Sequence, residues 1–122
     1  MAINFSNAVK GARLQAICDA IDAKVTNLVL FNVTQEEVCI LPFPTPSKLS
    51  IVDGVLTFKN IEESMVLLDA EATHAKITDI DNVEIASLSV GVTGSGADLQ
   101  LPSTTLFAGS LLRLNGWTIT EL

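Results

Sequence analysis

Acid–base and nucleophilic chemistry near neutral pH usually calls on an imidazole, and this chain has one, His74, in the run EATHAKI. No serine stands in a Gly-x-Ser-x-Gly elbow that would present a nucleophile to it. On a strand, His74 takes the face opposite Ala75 and Ile77, which predicts a solvent or sheet-rim position. The two cysteines, Cys18 and Cys39, sit in apolar surroundings and are too few for a disulfide scaffold, so both are expected as buried free thiols. One histidine and two separated cysteines also leave no set of four ligands for a structural zinc.

Paired carboxylates occur at Glu36-Glu37, Glu62-Glu63 and Asp79-x-Asp81. General acid–base work needs two carboxylates on one face at a set separation, and neighbours on a strand point to opposite faces. Asp79, Asp81 and Asn82 resemble the opening of a calcium loop, but the glycine and distant bidentate glutamate of such a loop are missing, and a hairpin turn is the better reading. Gly91-Val92-Thr93-Gly94-Ser95-Gly96 is rich in glycine, yet its spacing is not that of a dinucleotide fingerprint and no helical pattern follows to offer an amino terminus to phosphate. No catalytic, cofactor-binding or metal residue is assigned, and the expectation is a protein that is not an enzyme.

The elements around these residues divide into two kinds. Leu14, Ile17, Cys18 and Ile21 fall at helical spacing, with Ser6 or Asn4 available as a cap, which predicts one amphipathic helix over about residues 6–22 packed on its own sheet. From residue 26 the pattern changes to short runs rich in Val, Ile, Leu and Phe. Strands are expected over 27–32, 37–43, 64–72, 74–80, 83–90, 98–101, 104–107, 110–114 and 117–121, with Asn115-Gly116 as a turn. Asp53-Gly54 between LSIV and VLTF predicts a hairpin over 47–60. Roughly eight or nine short strands with regular turns point to an antiparallel β-sandwich of jelly-roll-like type over about 26–122, behind the single helix.

The 122 residues suit a single domain, and 48% hydrophobic content with 17% charged is more than a disordered chain carries. No run reaches the roughly 20 apolar residues of a membrane helix and the first ten residues lack a signal-peptide core, so the expectation is a cytosolic, soluble chain without a membrane partner. Seven Lys and Arg against fourteen Asp and Glu give a net charge of -7, which argues against binding nucleic acid through its phosphates.

What remains is binding through apolar surface. Leu41-Pro42-Phe43-Pro44 is the leading candidate: Pro42, Pro44 and Pro46 remove backbone donors and push the segment to a sheet edge, while Leu41 and Phe43 are too apolar for a freely solvated loop. Trp117 is expected in the core.

The stretches NFSNAVKGARLQAI at 4–17, AIDA at 20–23, GVTGSGADLQL at 91–101, Ala108-Gly109 and Thr118-Ile119-Thr120 together resemble small virion proteins from the structural gene modules of tailed bacteriophages. The proline run at 42–46 departs from that pattern. The resemblance implies an assembly role without a cofactor, most similar to a capsid decoration or cement protein. Its partners would be the major capsid protein and copies of itself as a dimer or trimer, and its place the capsid surface of the virion. A tail or baseplate module recognising a host glycan is the alternative, for which Trp117 and the phenylalanines at 5, 31, 43, 58 and 107 could offer stacking rings.

Overall fold

The computed structural model describes residues 6–114 and 117–120, with the backbone alone at 62, 119 and 120. Of the residues singled out above, Asn4, Phe5, Asn115, Gly116 and Glu121 lie outside the described residues.

Helix α1 (Asn7–Asp22) begins at Ser6, whose side chain accepts a hydrogen bond from the Val9 N–H at 3.3 Å, a cap typically worth about 1 kcal/mol. Its buried residues are Leu14, Cys18 and Ile21, a narrow i, i+4, i+7 stripe. Ile17 flanks that stripe and is only half-buried, and alanines at 8, 12, 16 and 20 surround it, so the amphipathic contrast is shallow. The stripe faces the chain's own sheet. Three polar ties fix the helix across the hairpin of β3 (Lys48–Val52) and β4 (Val55–Phe58): the Asn7 amide donates to Asp53 at 3.4 Å, Lys48 Nζ to Gln15 Oε1 at 2.8 Å, and the Ser47 N–H to Asp22 Oδ1 at 3.0 Å. The hairpin turns through Asp53 and Gly54, both at positive φ (50° and 78°), as the Asp-Gly pair predicts.

Among the described residues there are twelve strands, more than the sequence suggests. β1 (Thr26–Phe31), β2 (Glu37–Pro42), β7 (His74–Asp79), β8 (Glu84–Val92) and β9 (Leu99–Leu101) form a five-stranded sheet in the order β2-β1-β7-β8-β9. β5 (Ile61–Met65) pairs with β11 (Leu111–Leu114), β6 (Ala70–Glu71) with β10 (Thr105–Leu106), and β12 (Thr118–Thr120) with β4. The single strand expected over 64–72 is thus two strands, β5 and β6, each held by a different partner from the carboxyl-terminal half.

The expectation of a wholly antiparallel arrangement is corrected at one pair: β8 and β9 run parallel, with Val90 opposite Leu99 and Val92 opposite Leu101. A parallel neighbour normally needs a long crossover, but here the chain retreats only from Val92 to a point beside Val90. That is two residues, about 7 Å, and the loop 93–98 spans it without a helix.

The sheet curls. β2 lies at the edge of the five-stranded order, yet the Leu67 N–H donates to Val38 O at 2.7 Å and the Cys39 thiol lies 3.7 Å from Met65 O, which joins β2 to the β5–β11 ribbon. One core cluster fills the curl, including Leu28, Leu30, Leu41, Leu56, Phe58, Ile61 and Ile77 with the helix residues Leu14, Cys18 and Ile21. The chain is mainly β, with one helix and a curled multi-strand sheet. No helix among the described residues is long and apolar enough to cross a membrane.

Candidate docking surface

The residues of chemical promise are dispersed and tied to structural partners. His74 is half-buried, its ring stacked on Phe31 with centroids 5.4 Å apart and planes at 11°. Its nitrogens pair with Thr73 Oγ1 at 3.0 Å and Gln35 Oε1 at 2.9 Å. Ser89 is the cross-strand partner of His74 in register, and Asp98, in the loop just before β9, bonds to Ser89, so the residue types of a hydrolase triad lie near one another in the fold. Their connection is wrong for catalysis by that route: Asp98 grips Ser89, accepting from its N–H at 3.0 Å and its hydroxyl at 3.2 Å, while the Asp98 N–H donates back to Ser89 Oγ at 2.9 Å. This reciprocal clasp closes the parallel β8–β9 excursion.

Cys18 and Cys39 are buried free thiols, as expected, and burial pushes both up from the ordinary thiol range. Hydrogen bonds from Asn32 and Thr34 hold the exposed Glu36 carboxylate below its usual range, where it closes the turn between β1 and β2. Asp79 Oδ1 accepts from the N–H groups of Asp81 and Val83 at 2.9 and 3.0 Å, and Asp81 pairs with Lys24. Those carboxylates shape a hairpin turn. Glu63 pairs with Arg113, and the Glu62 side chain lies outside the description. In the glycine-rich stretch the Gly94 N–H donates to Gln100 Oε1 at 3.0 Å and the Ser95 N–H to Val92 O at 3.0 Å, so the amides turn inward to the loop itself.

The segment at 41–44 is different, because here apolar side chains meet solvent on a rigid backbone. Register places Leu41 opposite Leu28 and Pro42 opposite Asn27. The strand period then sends Leu41 into the core, where it is wholly buried, and Pro42 outward. Leu41 therefore drops out of the surface expected over 41–44: it anchors the strand from beneath. Phe43 follows on the inner side at the sheet rim, its N–H donating to Thr26 O at 3.0 Å. Its ring stays half-buried, tilted on Phe58 at 5.7 Å and on Trp117 at 6.1 Å, while Phe58 and Trp117 stack at 4.3 Å. Trp117 is half-buried at the core margin, and the Phe58 N–H donates to Trp117 O at 3.1 Å, binding β4 to the chain leading into β12.

Among the described residues, Pro42, Phe43, Pro44 and Asn60 line a surface hollow of about 300 Å³. The prolines fix its rim, so little backbone entropy remains to be lost when a partner settles there. Three of the four sequence-chosen residues thus converge on one feature. Asn60 escaped notice because it lies 16 residues beyond Pro44 in sequence and is brought back by the hairpin, with the Lys59 N–H donating to Ser47 O at 2.8 Å. In comparison with protein-family models, curated proteins and solved structures, nothing matches the chain.

Proposed function

We propose that this chain is a structural protein of a tailed-bacteriophage virion, and within that class a capsid decoration or cement protein. On this reading it binds the major capsid protein on the shell surface, joins copies of itself, and acts by surface burial, without cofactor, metal, nucleic acid or membrane. The resemblance of residues 4–17, 20–23, 91–101, 108–109 and 118–120 to small phage virion proteins supports the class. The observation that carries the mode of action is the proline-walled hollow with the half-exposed Phe43 ring at its base. A shallow apolar contact of this size is worth only a few kcal/mol, but repeated over a symmetric shell it becomes firm attachment through multivalency. In its finer form the fold is proposed to be a jelly-roll-like sandwich, closed by the curl of β2 onto β5 and capped by α1.

The alternative of a tail module gripping a glycan asks for open aromatic faces. Phe31 is stacked by His74 and has Lys76 Nζ 5.5 Å from its ring centroid, while Phe43, Phe58 and Trp117 pack on one another. Phe107 is open, at 61% exposure, but one ring is not a platform of several, and the occupancy of the others favours the shell reading. Co-sedimentation of the purified chain with expanded shells of its own phage tests it: saturable binding that raises the temperature of shell disruption supports the proposal, and a chain left in the supernatant at every concentration refutes it.

A further inference from the structure

The turn joining β1 to β2 holds itself together and reaches outward with one residue. Asn32 Oδ1 accepts from the Thr34 and Glu36 N–H groups at 3.0 and 2.9 Å, and Glu36 Oε1 accepts from the Asn32 amide at 3.1 Å. Gln35, exposed at the corner, takes φ 66°, a left-handed conformation that residues other than glycine adopt only at a cost. From there its Oε1 meets His74 Nε2 at 2.9 Å, 39 residues along the chain. A strained corner thus ends on the single imidazole and ties the turn to β7.

The other ring nitrogen stands at a fork. Thr73 Oγ1 lies 3.0 Å from His74 Nδ1 and 3.5 Å from Phe31 O. A hydroxyl has one proton to give, and the charge on the ring decides which neighbour receives it. Gln35 presents a carbonyl oxygen, so Nε2 carries hydrogen in either state. In the neutral ring Nδ1 then holds a lone pair and accepts from the Thr73 hydroxyl. When Nδ1 takes a proton from solvent it becomes a donor to Thr73 Oγ1, and the hydroxyl turns to donate to Phe31 O. That oxygen already accepts from the Thr73 N–H at 2.9 Å and has a second lone pair free for the hydroxyl, while the Phe31 ring stacks on the imidazole. Proton uptake therefore adds a bond from Thr73 to β1 and leaves the tie to Gln35 in place.

The charged groups around the ring have partners of their own. Lys76, two residues along β7, has Nζ 5.5 Å from the Phe31 ring centroid and 3.6 Å from the Glu84 carboxylate on β8. Glu37 stands opposite Phe31 on β2, Glu36 is held by Asn32 in the turn, and Asp98 clasps Ser89, the cross-strand partner of His74. Histidine is the side chain whose charge ordinarily changes between about pH 5 and 8, whereas carboxylates and lysines ordinarily keep theirs.

We propose that His74 is a pH-responsive latch between the β1–β2 turn and β7, in which proton uptake at Nδ1 transfers the hydrogen bond of the Thr73 hydroxyl from the imidazole to the Phe31 carbonyl. The latch is independent of the proposed attachment to a shell.

Nuclear magnetic resonance of the isotopically labelled full chain between about pH 5 and 8.5 tests it, because one histidine gives one set of ring signals. The neutral ring should carry its proton on Nε2, and the Phe31 carbonyl carbon should shift with the same midpoint as the ring. In Thr73→Val, made at an exposed site, the ring should still titrate while the Phe31 carbonyl shift loses most of its amplitude; Thr73→Ser, which keeps the hydroxyl, should retain it. If Thr73→Val does not fold, the tautomer and the shared midpoint in the wild type decide. A neutral ring protonated on Nδ1, a Phe31 carbonyl that does not follow the ring, or a shift that survives whole in folded Thr73→Val overturns the latch.

Discussion

The Phe43 ring rests against Trp117 with centroids 6.1 Å apart and planes at 40°, while part of it remains open to solvent. One side chain thus belongs both to the core margin and to the surface. Replacing it by serine should cost about 1 to 2 kcal/mol, between the roughly 3 to 5 kcal/mol of a fully buried Phe and the few tenths of a free surface residue. A chemical denaturation curve of Phe43→Ser checks this, and a loss above about 3 kcal/mol would place the ring in the core alone.

Helix α1 should be held by its stripe in unequal measure. Leu14→Ala, at a wholly buried site, is expected to lose about 2 to 5 kcal/mol, and Ile17→Ala, on the half-buried flank, about 1 to 2. Melting temperatures of the two variants decide the order; equal losses would mean that the stripe is broader than the structure has it.

Gly91 permits the loop after β8 to fold against its own strand. A Cβ there would run into Ser95 Oγ and sit 3.0 Å from the Ala97 Cβ, so Gly91→Ala should destabilise by about 1 to 3 kcal/mol. Ser95→Gly in the same chain removes one of the two obstacles and should restore part of that loss. Additive losses in the double variant, measured by denaturation, would contradict the close approach.

Both thiols are raised by burial, so each favours its protonated form more in the folded chain than in the unfolded one. The stability this contributes is complete below the ordinary thiol range and is lost as pH rises through it towards the folded values. Native protein should therefore react slowly with a thiol reagent at pH 8 and release two thiols per chain on unfolding, and its melting temperature should fall between about pH 8 and 10. Fast labelling of either cysteine in native protein would place it at the surface.

Much of the fold is legible in local residues. Ser6 and the i, i+3, i+4, i+7 spacing of Leu14, Ile17, Cys18 and Ile21 announce α1, although Ile17 is only half-buried, Asp53-Gly54 announces its hairpin, and the prolines at 42, 44 and 46 the sheet edge. The misses are non-local. Nothing within SMVLLDAEA marks a break, because β5 and β6 are separated by their partners β11 and β10, which lie 46 to 53 and 34 to 36 residues onward. The parallel seat of β9 depends on the Ser89–Asp98 clasp, a pairing that no periodicity encodes. At the candidate site, strand alternation alone sets Leu41 apart from Pro42, but Phe58 and Trp117 behind Phe43, and Asn60 beside it, require the tertiary fold.

The measurement that bears most directly on the proposed virion role is immunogold labelling of phage particles produced by the source of this coding sequence, using antibody raised to the purified chain and imaged in negative stain. The account predicts gold distributed over the head in many copies, with virions carrying Phe43→Ser losing most of that label. Gold confined to the tail tip or baseplate, or virions with no label at all, would contradict it.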